Sequence, residues 1–184
     1  MINDVLMQCD FQTGSSLNGE YKALQRQDFK SIARLISAVE NFPEQANEIL
    51  ASVASATTVS KIIPVLGITG TGGAGKSSLV DELIRRFILD FNDKKIAILS
   101  VDPSKRKTGG ALLGDRIRMN AIHPDFHHGR VYMRSLATRQ SNLALSPHIK
   151  NALEILKAAA FDLIILETSG IGQSDTEIVD FSDA

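Results

Sequence analysis

The chain has 184 residues, and its 20 basic and 21 acidic side chains leave a formal net charge of −1, which offers no cationic surface to nucleic acid or to an anionic membrane. Hydrophobic residues make up 43% and charged residues 22%, the balance of a globular chain long enough for one domain and an appendage, and no apolar run is long enough to span a bilayer. The single cysteine, Cys9, excludes an intramolecular disulfide and any multi-cysteine zinc site. Met1-Ile2-Asn3-Asp4 lacks the basic-then-apolar build of a secretory signal, so the expected location is the cytoplasm.

Residues 1–19 carry little pattern, and Gln12 to Gly19 is small and polar, as in a linker. From about Tyr21 to Glu40, Leu24, Phe29, Ile32, Leu35, Ile36 and Val39 recur at helical spacing and predict one amphipathic helix. Pro43 ends it and suits the first turn of a second helix, about 44–56, with Ala46, Ile49, Leu50 and Val53 on one face. Both helices are expected to brace the following domain rather than to carry chemistry.

Residues 62–69, Ile-Ile-Pro-Val-Leu-Gly-Ile-Thr, are apolar and β-prone. Then comes Gly70-Thr71-Gly72-Gly73-Ala74-Gly75-Lys76-Ser77, followed by Ser78. The run fits G-x-x-x-x-G-K-[ST], and the next apolar positions, Leu79, Val80, Leu83, Ile84, Phe87 and Ile88, have helical spacing. Strand, glycine loop and helix are the context in which this pattern cradles a polyphosphate. Glycines let backbone N–H groups wrap the anion, and the helix N-terminus points its unpaired donors at the same place. Lys76 would reach the β- and γ-phosphates and the Ser77 hydroxyl would ligate Mg²⁺. The pattern implies binding of a nucleoside triphosphate.

Beyond residue 90 the chain alternates. Strands are expected at 96–101, 130–137 and 161–167, and helices at 76–91, roughly 114–122 and 147–160, the last opening at Pro147. Ile96-Ala97-Ile98-Leu99 and Leu163-Ile164-Ile165-Leu166 are nearly continuous apolar runs, as in strands buried on both faces. The expectation is an α/β fold with a mostly parallel sheet flanked by helices, a P-loop NTPase with an N-terminal helical extension.

Ligands of such sheets gather at the carboxyl ends of strands, and two of these strands end in an acid. Residues 96–101 run into Asp102-Pro103, and Leu163 to Leu166 run into Glu167-Thr168-Ser169-Gly170. Glu167 is a candidate for the Mg²⁺ shell, directly or through water, or else a helix-capping acid. Asp102 is a second candidate, or a turn acid before proline. Asp115 is a third, for the metal shell or the attacking water, or an acid in a helix first turn. The backbone N–H of Gly170 would face the γ-phosphate. Ser104 to Thr108 reads as a basic loop near the phosphates or as a solvated one. His123, His127 and His128 lack a thiolate or well-spaced carboxylate and read as loop histidines. Arg139 reads as a surface or salt-bridged arginine rather than an arginine finger, and Arg116 and Arg118 as holding a switch or a partner domain.

Asp102-Pro103-Ser104, the Gly-Gly-Ala-Leu-Leu-Gly-Asp-Arg run at 109–116 and Glu167-Thr168-Ser169-Gly170-Ile171-Gly172-Gln173-Ser174, in that order, resemble the metallochaperone-type GTPases of cobalamin-dependent acyl-CoA mutases. The likeness covers roughly 62–184. Leu136 to Ser146 is most similar to the branch fused within isobutyryl-CoA mutase, and Met1 to Asp10 resembles the tail of a cobalamin-binding domain. The resemblance implies a preceding-domain tail at 1–19, a helical linker at 20–60 and an incomplete GTPase domain at 61–184. It implies GTP or GDP with Mg²⁺ on Gly70 to Ser78, metal and switch acids at Asp102, Asp115 and Glu167, and catalytic roles for Lys76, Asp115 and Glu167. Gln173 falls in a switch segment without a water-positioning role. The implied partner is the mutase, fused or separate, in a homodimeric parent, with adenosylcobalamin reaching the system only through that partner.

The chain departs from the pattern in three respects. It has no N-K-x-D motif for reading guanine, no D-x-H-x-x-G cobalamin motif and no mutase barrel, as a fragment of a longer polypeptide would. A parallel sheet without its later strands would expose an apolar edge, which predicts marginal stability. Two other activities fit a phosphate loop: a regulatory nucleotide-binding module with incidental turnover, and a small-molecule kinase. The kinase would need an acceptor pocket and an arginine-rich lid that the sequence does not display.

Overall fold

A computed structural model describes residue 4 and residues 14–57, 61–103, 119–123, 126, 128–138, 147–168 and 178–184, with backbone alone at 102, 103, 137, 138 and 147. Among the described residues four strands form one sheet: β1 (Val65–Ile68), β2 (Ile96–Pro103), β3 (Val131–Thr138) and β4 (Leu163–Thr168). Their spatial order is β1-β4-β2-β3, and every neighbouring pair is parallel. The helices are α1 (Glu20–Ala23), α2 (Phe29–Asn41), α3 (Ala46–Ala56), α4 (Lys76–Asp90) and α5 (Pro147–Ala158).

The connections explain the layering. From β1 through α4 to β2 the chain steps past β4 in one direction, and from β3 through α5 to β4 it steps back. Right-handed crossovers in opposite directions place their helices on opposite faces. The strand residues sort accordingly. Ile68, Ile96, Ile98, Val131, Met133 and Ile165 pack with Val80, Ile84 and Ile88 of α4. Val65, Ala97, Leu99, Tyr132, Leu136, Ile164 and Leu166 pack beneath α2, α3 and α5. The sheet is buried on both faces, as its continuous apolar strands require.

The single helix expected over 21–40 is broken in two. After α1, Leu24–Arg26 forms a 3-10 turn, Gln27 takes φ +54, and Asp28 starts α2 by accepting from Ser31 N at 2.9 Å. Asp28 also accepts from the Ser31 hydroxyl. An acidic cap after a left-handed residue outweighs the run of helical spacing. Other boundaries shift as well. β1 begins at Val65 rather than 62, after Pro64, which has no N–H for the ladder. The helix expected over 114–122 does not include 119–122, which form turns, and residues 114–118 lie outside the described region. The last turn of the helix expected over 147–160 is absent, because Ala160 takes φ +56 after α5.

The helical extension is docked by packing and by polar pins. Phe29 meets Tyr132 edge-on at 5.3 Å between centroids, and Phe161 lies 6.1 Å from the same tyrosine. Arg134 of β3 donates to Ser37 Oγ at 3.1 Å and pairs with Glu40, and Gln27 Nε2 donates to the Ala160 carbonyl at 2.9 Å. At the amino end of the sheet Asp162 receives Lys61 Nζ at 2.7 Å and Lys95 N at 2.8 Å. Burial pushes this carboxyl up, but the hydrogen bonds from Lys61 and Lys95 and the lysine charge outweigh it and hold it below its ordinary value.

The outer edge of β1 is occupied. Ile178–Phe181 forms a 3-10 turn over it, after which Asp183 N donates to Val65 O and Gly67 N to Ala184 O, each at 2.8 Å. A Cβ on Gly67 would stand 2.8 Å from Ser182 Oγ, so this close approach requires glycine.

Candidate functional site

The site lies where β1 and β4 end and α4 begins. β1 feeds Thr69 into the loop, and Gly75, at φ +85, caps α4. Gly73 also lies in the left-handed region, at φ +80. At neither glycine does a heavy atom of the described residues lie within 4 Å of where a Cβ would stand. The left-handed φ at both positions demands glycine. Thr71, Gly72, Gly73, Ala74 and Gly75 are exposed, Gly70, Lys76 and Ser77 are half-buried, and Ser78 is exposed.

Lys76 Nζ donates to the carbonyls of Gly70 and Thr71 at 2.8 and 3.0 Å. These bonds arch the side chain back over the loop. An ammonium has three donors, so one remains for an anion above the glycines. Ser77 Oγ donates to Glu167 Oε1 at 2.7 Å. Glu167, only 3% exposed, belongs to the α4 side of β4 because it shares its parity with Ile165. Ser100, 3% exposed, is its register partner on β2.

A hydroxyl and a carboxylate at a helix N-terminus form a hard oxygen pair. Adjacent ligands of an octahedral Mg²⁺, each about 2.0–2.1 Å from the ion, stand roughly 2.9 Å apart. The observed 2.7 Å between Ser77 Oγ and Glu167 Oε1 fits such a pair with little movement. The donor set therefore suits Mg²⁺.

The structure thus brings Gly70 to Ser78 together with Glu167. For Asp102 it gives only the backbone, at the carboxyl end of β2 opposite Ala137. Asp115, Gly170, Gln173, Arg116, Arg118 and Arg139 lie outside the described residues, as do His127 and Ser104 to Thr108. Among the described residues no group of three or more His, Cys, Asp and Glu side chains converges on a point. No described helix is long and apolar enough to cross a membrane.

Two contacts at the site escaped the sequence reading. Asp81, one turn along α4 from Ser77, accepts from Ala121 N at 2.8 Å. Thr168 Oγ1 donates to Thr69 Oγ1 at 2.9 Å. The period of two along β4 puts Thr168 on the face away from Glu167 but does not name Thr69 as its partner.

Comparison with known proteins adds the following. The family described as "Methylmalonyl Co-A mutase-associated GTPase MeaB" matches residues 32–184. A protein named "Fused isobutyryl-CoA mutase" from Geobacillus kaustophilus is 55% identical over 188 residues, covering 100% of this chain and 17% of its own length. A protein of the same name from Cupriavidus metallidurans is 50% identical, with 97% of this chain and 16% of its own length covered. The chain thus spans about a sixth of these relatives. Among solved structures, one titled "Crystal structure of LAO/AO transport system kinase" superposes with a TM-score of 0.62 at 23% identity, over 92% of this chain and 50% of that one. That likeness speaks for the fold alone.

Proposed function

The chain belongs to the MeaB family of methylmalonyl-CoA mutase-associated GTPases, and from that premise we propose that it is a Mg²⁺-dependent GTP-binding and GTP-hydrolysing module that gates or protects a cobalamin-dependent acyl-CoA mutase. The observation that carries the reading is the meeting of Ser77 and Glu167 at 2.7 Å beneath a loop with Lys76 at its rim. Bound Mg²⁺ would be held by Ser77 and Glu167, with Asp102 and Asp115 as further candidates, and would supply charge neutralisation on the phosphate oxygens.

The chain's own residues do the positioning. Backbone N–H groups from Gly70 to Ser78 receive the β- and γ-phosphates, with the N-terminus of α4 aligned on the same charge. Lys76 offers its remaining donor to the phosphates and stabilises the charge that develops on transfer to water. The Gly170 N–H would report the γ-phosphate. Catalysis of this kind is positioning and electrostatics, so turnover is slow unless a partner completes the site.

Guanine is proposed from the family, and so is the partner. The curated relatives named as fused isobutyryl-CoA mutases support a mutase joined to this module in a longer protein; that this protein is homodimeric and cytoplasmic, with adenosylcobalamin held by the partner, is part of the proposal. In that arrangement residues 1–19 are the tail of the preceding domain, 20–60 the linker and 61–184 the GTPase domain.

The test is titration of fluorescent GTP and ATP analogues, with Mg²⁺, into the chain and its Lys76→Ala variant, followed by assay of phosphate release. Binding that depends on Lys76 and Mg²⁺ and prefers guanine is expected. Binding indifferent to Lys76 would sink the reading.

A further inference from the structure

We propose that Thr168 is a positioning residue for the metal-phosphate site, acting through its hydrogen bond to Thr69. The proposal rests on the functional reading above.

β4 presents two consecutive residues to opposite faces. Glu167 lies on the α4 side, with its carboxylate against Ser77. Thr168 shares its parity with Ile164 and Leu166 on the other side, is 2% exposed, and donates from Oγ1 to Thr69 Oγ1 at 2.9 Å. Backbone pairing of β1 with β4 runs from Val65↔Ile164 to Ile68↔Glu167. Thr69 and Thr168 stand one step beyond the last of these pairs. A side-chain bond thus adds the next rung at the point where twisted neighbouring strands begin to diverge.

The position of this rung gives it a consequence for ligand binding. Thr69 is the residue before Gly70, whose carbonyl accepts from Lys76 Nζ. Thr168 is the residue after Glu167. One hydroxyl pair therefore fixes the strand end that carries the carboxylate against the entrance of the loop that ends in Ser77. The two oxygens offered to the ion come from those two places, and Mg²⁺ tolerates little departure from octahedral geometry. The bond sets their spacing from the opposite face of the sheet without touching nucleotide or metal.

The experiment measures the affinity of a fluorescent GTP analogue in EDTA and in Mg²⁺ for the chain and for Thr168→Val, Thr69→Val, the double variant and Thr168→Ser. The valines keep the branched shape and remove one hydroxyl each. In both single valine variants the Mg²⁺-dependent gain in affinity is expected to fall about five- to tenfold, the range of one buried hydrogen bond. Affinity in EDTA should stay within about twofold, the double variant should be no worse than either single one, and Thr168→Ser should restore the gain. Should Thr168→Val fail to fold, Thr69→Val carries the same comparison. An unchanged gain, an equal loss in EDTA and Mg²⁺, or additive singles would overturn the proposal and leave the GTPase reading intact. A chain with no Lys76-dependent binding overturns both.

Discussion

On one face of the sheet, α4 and the turn at 119–123 cover Ile68, Ile96, Ile98, Val131, Met133 and Ile165. On the other, α2, α3 and α5 cover Val65, Leu99, Tyr132, Leu136, Ile164 and Leu166. Both covers close over their strands, with Leu35, Ile36, Leu156 and Phe161 at 0% exposure on the second and Val80, Ile84, Ile98 and Ile165 at 0% on the first. The first leaves Leu79 53% and Leu89 56% exposed along α4. The thin face carries the proposed chemistry, because a helix that offers its N-terminus to an anion must rise clear of its neighbours. The groups proposed to touch the ligand thus lie on the α4 side of the four strands and the thicker helical cover on the other, so substitutions in the two should differ in their main effect.

The largest expected effect falls on the thick face. Phe161→Ala should cost about 3–5 kcal/mol in urea unfolding, from a large cavity between Phe29, Tyr132 and α5. Leu79→Ala on the thin face should cost a small fraction of that, and equal costs would break the contrast. Lys76→Ala is next. It should weaken triphosphate binding by about 2–4 kcal/mol in titration while leaving the unfolding midpoint unchanged. Gly67→Ala should cost about 1–3 kcal/mol, because the new methyl meets Ser182 and the turn over β1 must shift.

Two acids sharpen the contrast at the small end. Asp28 caps α2 on the thick face, and Ser31, through its hydroxyl and its N–H, holds the carboxyl below its ordinary 3.8. A depressed carboxyl stabilises the fold above its ordinary range and ceases to as pH falls through the folded value. Asp28→Ala should therefore cost about 1 kcal/mol at neutral pH, with the gap closing in melts taken as pH falls below the ordinary carboxylate range. Glu82 on the thin-face helix is held down to about 2 by Arg85 and Arg86, yet all three are exposed. Glu82→Gln should leave the melting temperature unchanged within scatter, because surface pairs contribute little.

The sheet was legible in the sequence because its signals are local. Apolar runs such as Leu163 to Leu166 mark buried strands, and the glycine loop names its own flanks. Of the candidate site, the meeting of the glycine loop with Glu167 was legible, because phosphate and magnesium chemistry would ask for Lys76, Ser77 and an acid at a strand end. The pair Thr69 and Thr168 was not, because two threonines 99 positions apart carry no mutual signal until strand order is known. Nor was the break at Gln27, where capping by Asp28 prevails over a spacing that runs straight through. Arg134 and Glu40 met the same obstacle, since nothing in the chain announces that α2 lies over β3.

Asp162 has a consequence of a mechanical kind. It stands just before β4 and grips Lys61 ahead of β1 and Lys94 and Lys95 ahead of β2, so one carboxylate fastens the roots of three adjacent strands. The phosphate loop and Glu167 sit at the other tips. β4 has six residues, a lever of about 20 Å at roughly 3.3 Å each, and each degree of pivot at the root carries the tip about a third of an ångström. Two strands that swivel independently by a few degrees would pull Ser77 and Glu167 out of reach of a common ion. A fulcrum set at the far end turns a small rotation at Asp162 into a larger change in the gap between those tips.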